Sequence, residues 1–171
     1  EAWTLLAGLA RETSRVRLGT LVTGMTHRHP SVLAAEVVTV DHLSGGRVEC
    51  AVGAAWNDSE HRELGIEFPS TAERMDRLEE GVQVLRLLFS EDDATFEGRH
   101  YQAGRLLNSP QAISRPHPPI MIGGGGEKKT LRLVAQYADA TNVFGGPETI
   151  RHKYEVIREH CAGIGRVPDE I

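Results

Sequence analysis

The sequence predicts an α/β protein built on a parallel sheet, about half of a TIM (β/α)8 barrel, in one domain over residues 1–171. Four apolar runs predict the sheet: Arg17 to Gly24, Val48 to Gly53, Pro119 to Gly123, and Thr141 to Gly146. Each leaves through glycine into a helical pattern, which gathers the strand C-terminal ends on one face with room for a ligand. The half comes from length. A closed barrel takes about 250 residues, whereas this chain has 171, is already helical at Glu1, and stops after Asp169 where a new strand is due. It therefore reads as a fragment.

In order, the helical spacing of Trp3, Leu6, Leu9 and Ala10 runs to about Thr13, and a strand rich in β-branched residues follows over 16–22. Pro30 suits a first helical position, Leu33, Val37 and Val40 keep the period, and Ser44, Gly45 and Gly46 stop it. Arg47 to Val52 is the next strand. After Gly53, the segment from Ala54 to His61 is a loop or short helix. Ser70 and Glu73 form a capping box for a long helix with the stripe Met75, Leu78, Val82, Leu85 and Phe89. Glu73 and Arg77 are spaced to pair on its wet side.

Residues 91–118 interrupt the alternation. A hairpin is expected around Glu97 and Gly98, with Pro110, Pro116, Pro118 and Pro119 holding an extended lead-in, as an excursion beside the barrel that also offers a substrate wall. The final helix starts at Pro147, carries Ile150, Tyr154, Ile157 and Cys161 on one face, and is expected to end at Gly163.

A formal charge of -5 argues against nucleic acid and anionic membranes as partners. No apolar run approaches the roughly 20 residues that span a bilayer, and no signal peptide is visible. Cys50 and Cys161 are isolated and read as buried, reduced thiols of a cytoplasmic protein. His61 beside Glu60 lacks the zinc-protease spacing, so no metal site is expected.

The glycines Gly123, Gly124, Gly125 and Gly126 stand between a strand and a helical pattern beginning at Leu131. Backbone N–H groups at such a helix mouth can receive a phosphate. Lys128 occupies the place of the third glycine of a dinucleotide fingerprint, so that motif is absent. A flexible strand-to-helix turn is the plain alternative.

With these residues in place, the chain resembles the luciferase-like monooxygenase family, in the branch that uses a deazaflavin (coenzyme F-420) or FMN. The carriers are Trp3 through Ala10 with Thr13, Ser14 and Arg15; Arg17 through Thr23; Arg28, His29 and Pro30; Asp41 through Arg47; Gly53; Arg74, Arg77, Leu78 and Glu80; and Pro118 through Gly124 followed by Ala138 and Asp139. The resemblance implies a barrel of the luciferase-like type without its first two strands, and a flavin-type ring over the strand ends. It implies cofactor contacts at Thr23, Gly24, Met25, Gly53, Ala54, Gly123, Gly124, Gly125, Gly126, Phe144 and Gly145. It also implies a non-proline cis peptide in the segment 21–25, expected between Gly24 and Met25. The family's usual catalytic His falls on a strand before Glu1. Trp56 stands where dehydrogenase members carry a glutamate, and Ala55 replaces a common glycine.

Trp56 and Asn57 line a substrate pocket or pack under a loop, and His27 and His29 either line the pocket or cap the helix at Pro30. Asp41 and His42 fall on the opposite rim and read as structural. His100, His117, His152 and His160 read as solvated, and Arg115 is placed to reach a phosphate or carboxylate from the excursion.

The function expected is hydride transfer between a bound deazaflavin or FMN and a small organic substrate, by a protein that forms a homo-oligomer at full length. The alternatives are an FMN-dependent monooxygenase, and an inactive fragment or non-enzymatic binding barrel. A phosphate-ester isomerase or aldolase needs a Lys, Glu or His base at a strand exit, which these exits do not offer.

Overall fold

A computed structural model of the chain describes residues 1–90 and 93–171. Five strands form the main sheet: β1 (Leu18–Gly19), β2 (Thr23–Gly24), β3 (Val48–Gly53), β6 (Ile120–Gly123) and β7 (Ala140–Asn142). All pairings are parallel: β1 and β2 both lie along β3, β3 along β6, and β6 along β7. Helices α1 (Ala2–Glu12), α2 (Pro30–Ser44), α3 (Asp58–Leu64), α4 (Thr71–Ser90), α5 (Thr130–Tyr137) and α6 (Pro147–Ile164) connect or follow the strands. A parallel ladder requires such crossovers.

The single strand expected over 16–22 is two short ones. The interval holds a cis peptide at Leu21–Val22, not between Gly24 and Met25. The reason is register. Gly24 pairs with Gly53 and the Met25 N–H donates to the Gly53 carbonyl at 2.9 Å, so that bond is committed to the ladder.

The helix ends follow their local chemistry. Glu1 accepts from the Thr4 N–H at 2.9 Å and starts α1. His29 Nδ1 accepts from the Ser31 N–H at 3.2 Å beside Pro30, and Gly45 at φ 70° closes α2. Ser70 Oγ accepts from the Glu73 N–H at 3.3 Å. The reciprocal arm of that capping box is redirected, because the Glu73 carboxylate pairs with Arg77 at 2.6 Å. The final helix runs through Gly163 to Ile164 and closes on Gly165 at φ 70°.

Met75, Leu78, Val82, Leu85 and Phe89 of α4 are all buried with Leu33, Val37 and Val40 of α2 and the inward residues of β3 and β6. These apolar side chains belong to one cluster, and full burial of each large one is worth about 1.5–3 kcal/mol. Cys50 and Cys161 are both buried and unpaired.

The excursion holds the antiparallel hairpin β4 (Ala94–Glu97) and β5 (Gln102–Leu106); residues 91 and 92 lie outside the described residues. Glu80 on α4 fixes its loop by accepting from the N–H groups of Arg99, His100 and Tyr101 at 2.8–3.0 Å. No described helix is long and apolar enough to cross a membrane.

Candidate active site

A cleft of about 560 Å³ opens at the C-terminal ends of β2, β3, β6 and β7. Its volume falls within the usual range for small-molecule sites, about 300–1,000 Å³. Of the residues expected from sequence, Gly24, His27, Gly53, Ala54, Trp56, Asn57, Gly123, Gly124 and Phe144 line it. Trp56 and Phe144 are 86% and 81% exposed at its mouth. Exposed apolar patches mark interaction surfaces of several kinds, ligand-binding grooves among them.

Other expected contacts fall elsewhere. Met25 is buried in the core, packed where Gly81 of α4 has no Cβ, and so faces away from the cleft. Thr23 is buried too. Its hydroxyl accepts from Trp3 Nε1 at 3.0 Å and meets Thr20 Oγ at 2.7 Å, and it lines an adjoining cleft instead. Gly125 and Gly126 are exposed on the loop beyond the cleft wall, and Gly145, at φ 145°, packs on Thr149.

The floor is set by Val22, which sequence reasoning did not single out. A Cβ at Gly53 would come within 2.8 Å of Val22 Cγ2, and one at Gly123 within 2.9 Å of Cγ1. The two glycines therefore let one branched side chain lie between β3 and β6. In the loop, Gly124 N–H donates to the Asn142 carbonyl at 3.0 Å and Leu131 N–H to that of Gly126 at 3.0 Å. Gly125 and Gly126 keep N–H groups with no protein acceptor among the described residues. They precede α5 by five and four residues, across the turn at 127–129. Glu127 accepts from Lys153 Nζ at 2.6 Å; this bond leads the influences that hold its exposed carboxyl below the usual range.

Arg74 builds the other wall. Its guanidinium donates to the carbonyls of Pro69 (3.0 Å), Ala54 (3.4 Å) and Ala55 and to Thr71 Oγ (3.1 Å), over the ring of Phe68. That grip holds the turn after β3 with Ala55 at φ 61°, the left-handed region where a glycine is at home. Leu21, Glu60, Thr71, Met75, Thr130 and Asn142 complete the lining. Of these, Leu21 and Arg74 carried a signal in the sequence as family residues and Met75 as part of the apolar stripe, but none was marked as lining the cleft.

The two histidines of the β2 exit separate cleanly. His29 caps α2, while His27 lines the cleft with Nε2 3.8 Å from Glu60 Oε2. His61 is fully buried behind it, ring centroids 4.6 Å apart. The spacing of these residues suggested no metal set, yet folding brings ligand atoms of His27, Glu60 and His61 within 4.8 Å of one another. Loop closure did what spacing hid.

No described residue of the 91–118 segment lines the cleft, so among the described residues the excursion contributes no wall to it. Arg115 donates to the Ala112 and Ser114 carbonyls instead of reaching in. His152 is exposed as expected. His100, His117 and His160 are half-buried, His117 beside Asp139 at 3.8 Å and His160 on the Glu127 carbonyl at 2.8 Å.

A profile of the luciferase-like monooxygenase family matches residues 1–171. The chain is 37% identical over 131 residues to an F420-dependent glucose-6-phosphate dehydrogenase of Kineococcus radiotolerans, covering 72% of this chain and 37% of that protein. It is 33% identical over 149 residues to the pyrimidine monooxygenase RutA of Acinetobacter baylyi, covering 85% of this chain and 39% of that one. Among solved structures, an F420-dependent secondary alcohol dehydrogenase in complex with an F420-acetone adduct superposes with a TM-score of 0.89 at 26% identity, over all of this chain and 52% of that one. The chain thus spans about half or less of the length of these relatives.

Proposed function

The chain belongs to the luciferase-like monooxygenase family, and from that premise we propose that its cleft holds a deazaflavin or FMN and a small organic substrate, as part of a flavin-class oxidoreductase. The observation that carries this reading is the cleft itself: Val22 seated against Gly53 and Gly123 as an apolar floor, with exposed Trp56 and Phe144 at the mouth. A planar ring fits such a floor. Gly24, Gly53, Ala54, Gly123 and Gly124 would let it approach the backbone, and the free N–H groups of Gly125 and Gly126 would hold the phosphate of its tail. When bound, the cofactor supplies hydride chemistry; the protein supplies anchoring, orientation and a dry wall.

Hydride transfer with a deazaflavin is the favoured form, supported by the similarity to the two F420-dependent relatives. The similarity to RutA supports the second form, monooxygenation with FMN. Titration of the full-length protein with each cofactor, followed by fluorescence, tests both. Tight deazaflavin binding without oxygen consumption is the expected result; FMN binding with oxygen consumption overturns it in favour of the monooxygenase. Gly124→Val, at φ 122° and with a Cβ 3.3 Å from Thr130 Cγ2, is expected to weaken cofactor binding at least tenfold. Unchanged affinity would remove the phosphate from this loop.

A further inference from the structure

We propose that His27, Glu60 and His61 bind one divalent transition-metal ion of borderline softness, zinc foremost, at the junction of the two clefts. The inference goes beyond the flavin-class reading and does not rest on it. Among the described residues this is the group of His, Cys, Asp and Glu side chains whose ligand atoms converge, all within 4.8 Å of one another. Two imidazoles and one carboxylate are a donor set that zinc takes in three-ligand sites, with a fourth position left for water or a ligand. Magnesium and calcium prefer oxygen donors, so two nitrogens in three select against them.

The hydrogen bonds behind the two rings suit ligation. The Asn57 carbonyl lies 2.7 Å from His61 Nδ1, and a carbonyl only accepts, so that nitrogen carries the hydrogen and Nε2 of the neutral ring keeps the lone pair. A ring N–H given to a backbone carbonyl, with the other nitrogen turned outward, is the arrangement that orients metal-bound histidines. The Thr26 hydroxyl meets His61 Nε2 at 2.7 Å and satisfies that buried lone pair by donating to it. An ion that takes the lone pair displaces this hydrogen bond and turns Thr26 Oγ toward His27 Nδ1, 3.5 Å away. There the oxygen accepts from Nδ1 and holds His27 with Nε2 forward, facing Glu60 Oε2 at 3.8 Å. Bonds of about 2.1 Å in tetrahedral array hold ligand atoms about 3.4 Å apart, so this pair needs to close by only about 0.4 Å.

The ligands are also seated. A Cβ on residue 24 would lie 2.6 Å from His27 Nδ1 and 2.9 Å from its Cε1, so Gly24 makes room for that ring. His61 is fully buried and edge-on to both His27 and Phe68, with ring centroids 4.6 Å and 4.8 Å away. Glu60 precedes it on α3 with a half-exposed carboxylate. His27 and Glu60 line both clefts, which gives an ion a path from solvent and turns its fourth position toward the cavity. The arginines of the two linings are otherwise engaged: Arg28 is matched by Glu1 and Glu36 at 2.7 Å each, and Arg74 donates to Pro69, Ala54, Ala55 and Thr71. Bound here, the ion ties the β2 exit to α3.

The test titrates chelator-treated full-length protein with zinc, followed by calorimetry. One ion per chain is expected, and His27→Gln and Glu60→Gln are each expected to weaken its binding by about 10- to 100-fold or more. His152→Gln, which removes the exposed histidine beside Glu127, is expected to leave the affinity unchanged. Because His61 is buried, it is read by its resonances rather than by substitution. In 15N spectra zinc is expected to shift Nε2 of both His27 and His61, while His61 Nδ1 keeps its hydrogen. Magnesium in place of zinc is expected to move neither ring. Lack of saturable zinc binding by the wild type overturns the site, as do shifts confined to His152. Affinity unchanged in either His27→Gln or Glu60→Gln overturns the three-ligand set. None of these outcomes touches the flavin-class reading, which the cofactor titration tests separately.

Discussion

The carboxylate of Asp41, fully buried near the end of α2, is held by Ser114, 73 residues further along: it accepts from the Ser114 N–H at 2.9 Å and from its hydroxyl at 2.6 Å. The Ile113 N–H adds a third bond at 2.7 Å. This latch ties the excursion to the rim opposite the cleft. Asp41→Ala leaves three donors without their acceptor, and a loss of about 3 kcal/mol is expected. Urea unfolding measures it. Hydrogen exchange is expected to rise at Ile113 and Ser114, while cofactor affinity stays within twofold.

The contact between Val22 and the two floor glycines gives a paired test. Gly53→Ala drives a methyl to 2.8 Å from a β-branched side chain that is stiff about χ1, and overpacking of this kind costs about 1–3 kcal/mol. Adding Val22→Ala is expected to recover more than half of that loss. A double variant no more stable than Gly53→Ala would show that the strain lies elsewhere.

Ala55 sits at φ 61°, where a Cβ costs about 1–2 kcal/mol. Part of any gain from glycine is offset by the greater entropy of its unfolded chain. Ala55→Gly is therefore expected to raise stability by about 0.5–1 kcal/mol, read as an upward shift in Tm. Arg74→Met, by releasing the carbonyls that hold this turn, is expected to lower it.

Burial pushes the Cys50 thiol up to about 12. An unfolded thiol titrates near ~8.5, so above that pH the unfolded state binds fewer protons than the folded one. The contribution of Cys50 to stability is intact below pH ~8.5 and falls by about 1.4 kcal/mol per pH unit until the folded thiol titrates. Unfolding followed between pH 8 and 10 is expected to show a shallower alkaline decline in Cys50→Ala than in the wild type. A thiol reagent at pH 8 should reach Cys50 only on unfolding.

The sequence by itself determined the order of the elements and most of their identities, though not the split of the first strand into β1 and β2. Glycine after each apolar run, Pro30 and Pro147 at helix starts, and the α4 stripe act within a few residues of themselves, where backbone sterics and one-sided burial decide the outcome. Those same signals placed the cleft at the strand C-terminal ends and marked Gly24, Gly53, Gly123 and Gly124 within it. Tertiary structure alone decided which neighbours of those residues face inward. Met25 turned into the core because Gly81 on a distant helix leaves it space, and Val22 became the floor because two strands each omit a Cβ beneath it. His27, Glu60 and His61 meet only when the β2 exit folds against α3. Such contacts depend on distances between segments far apart in the chain, which local periodicity does not encode; packing sets them once the sheet is closed on its helices.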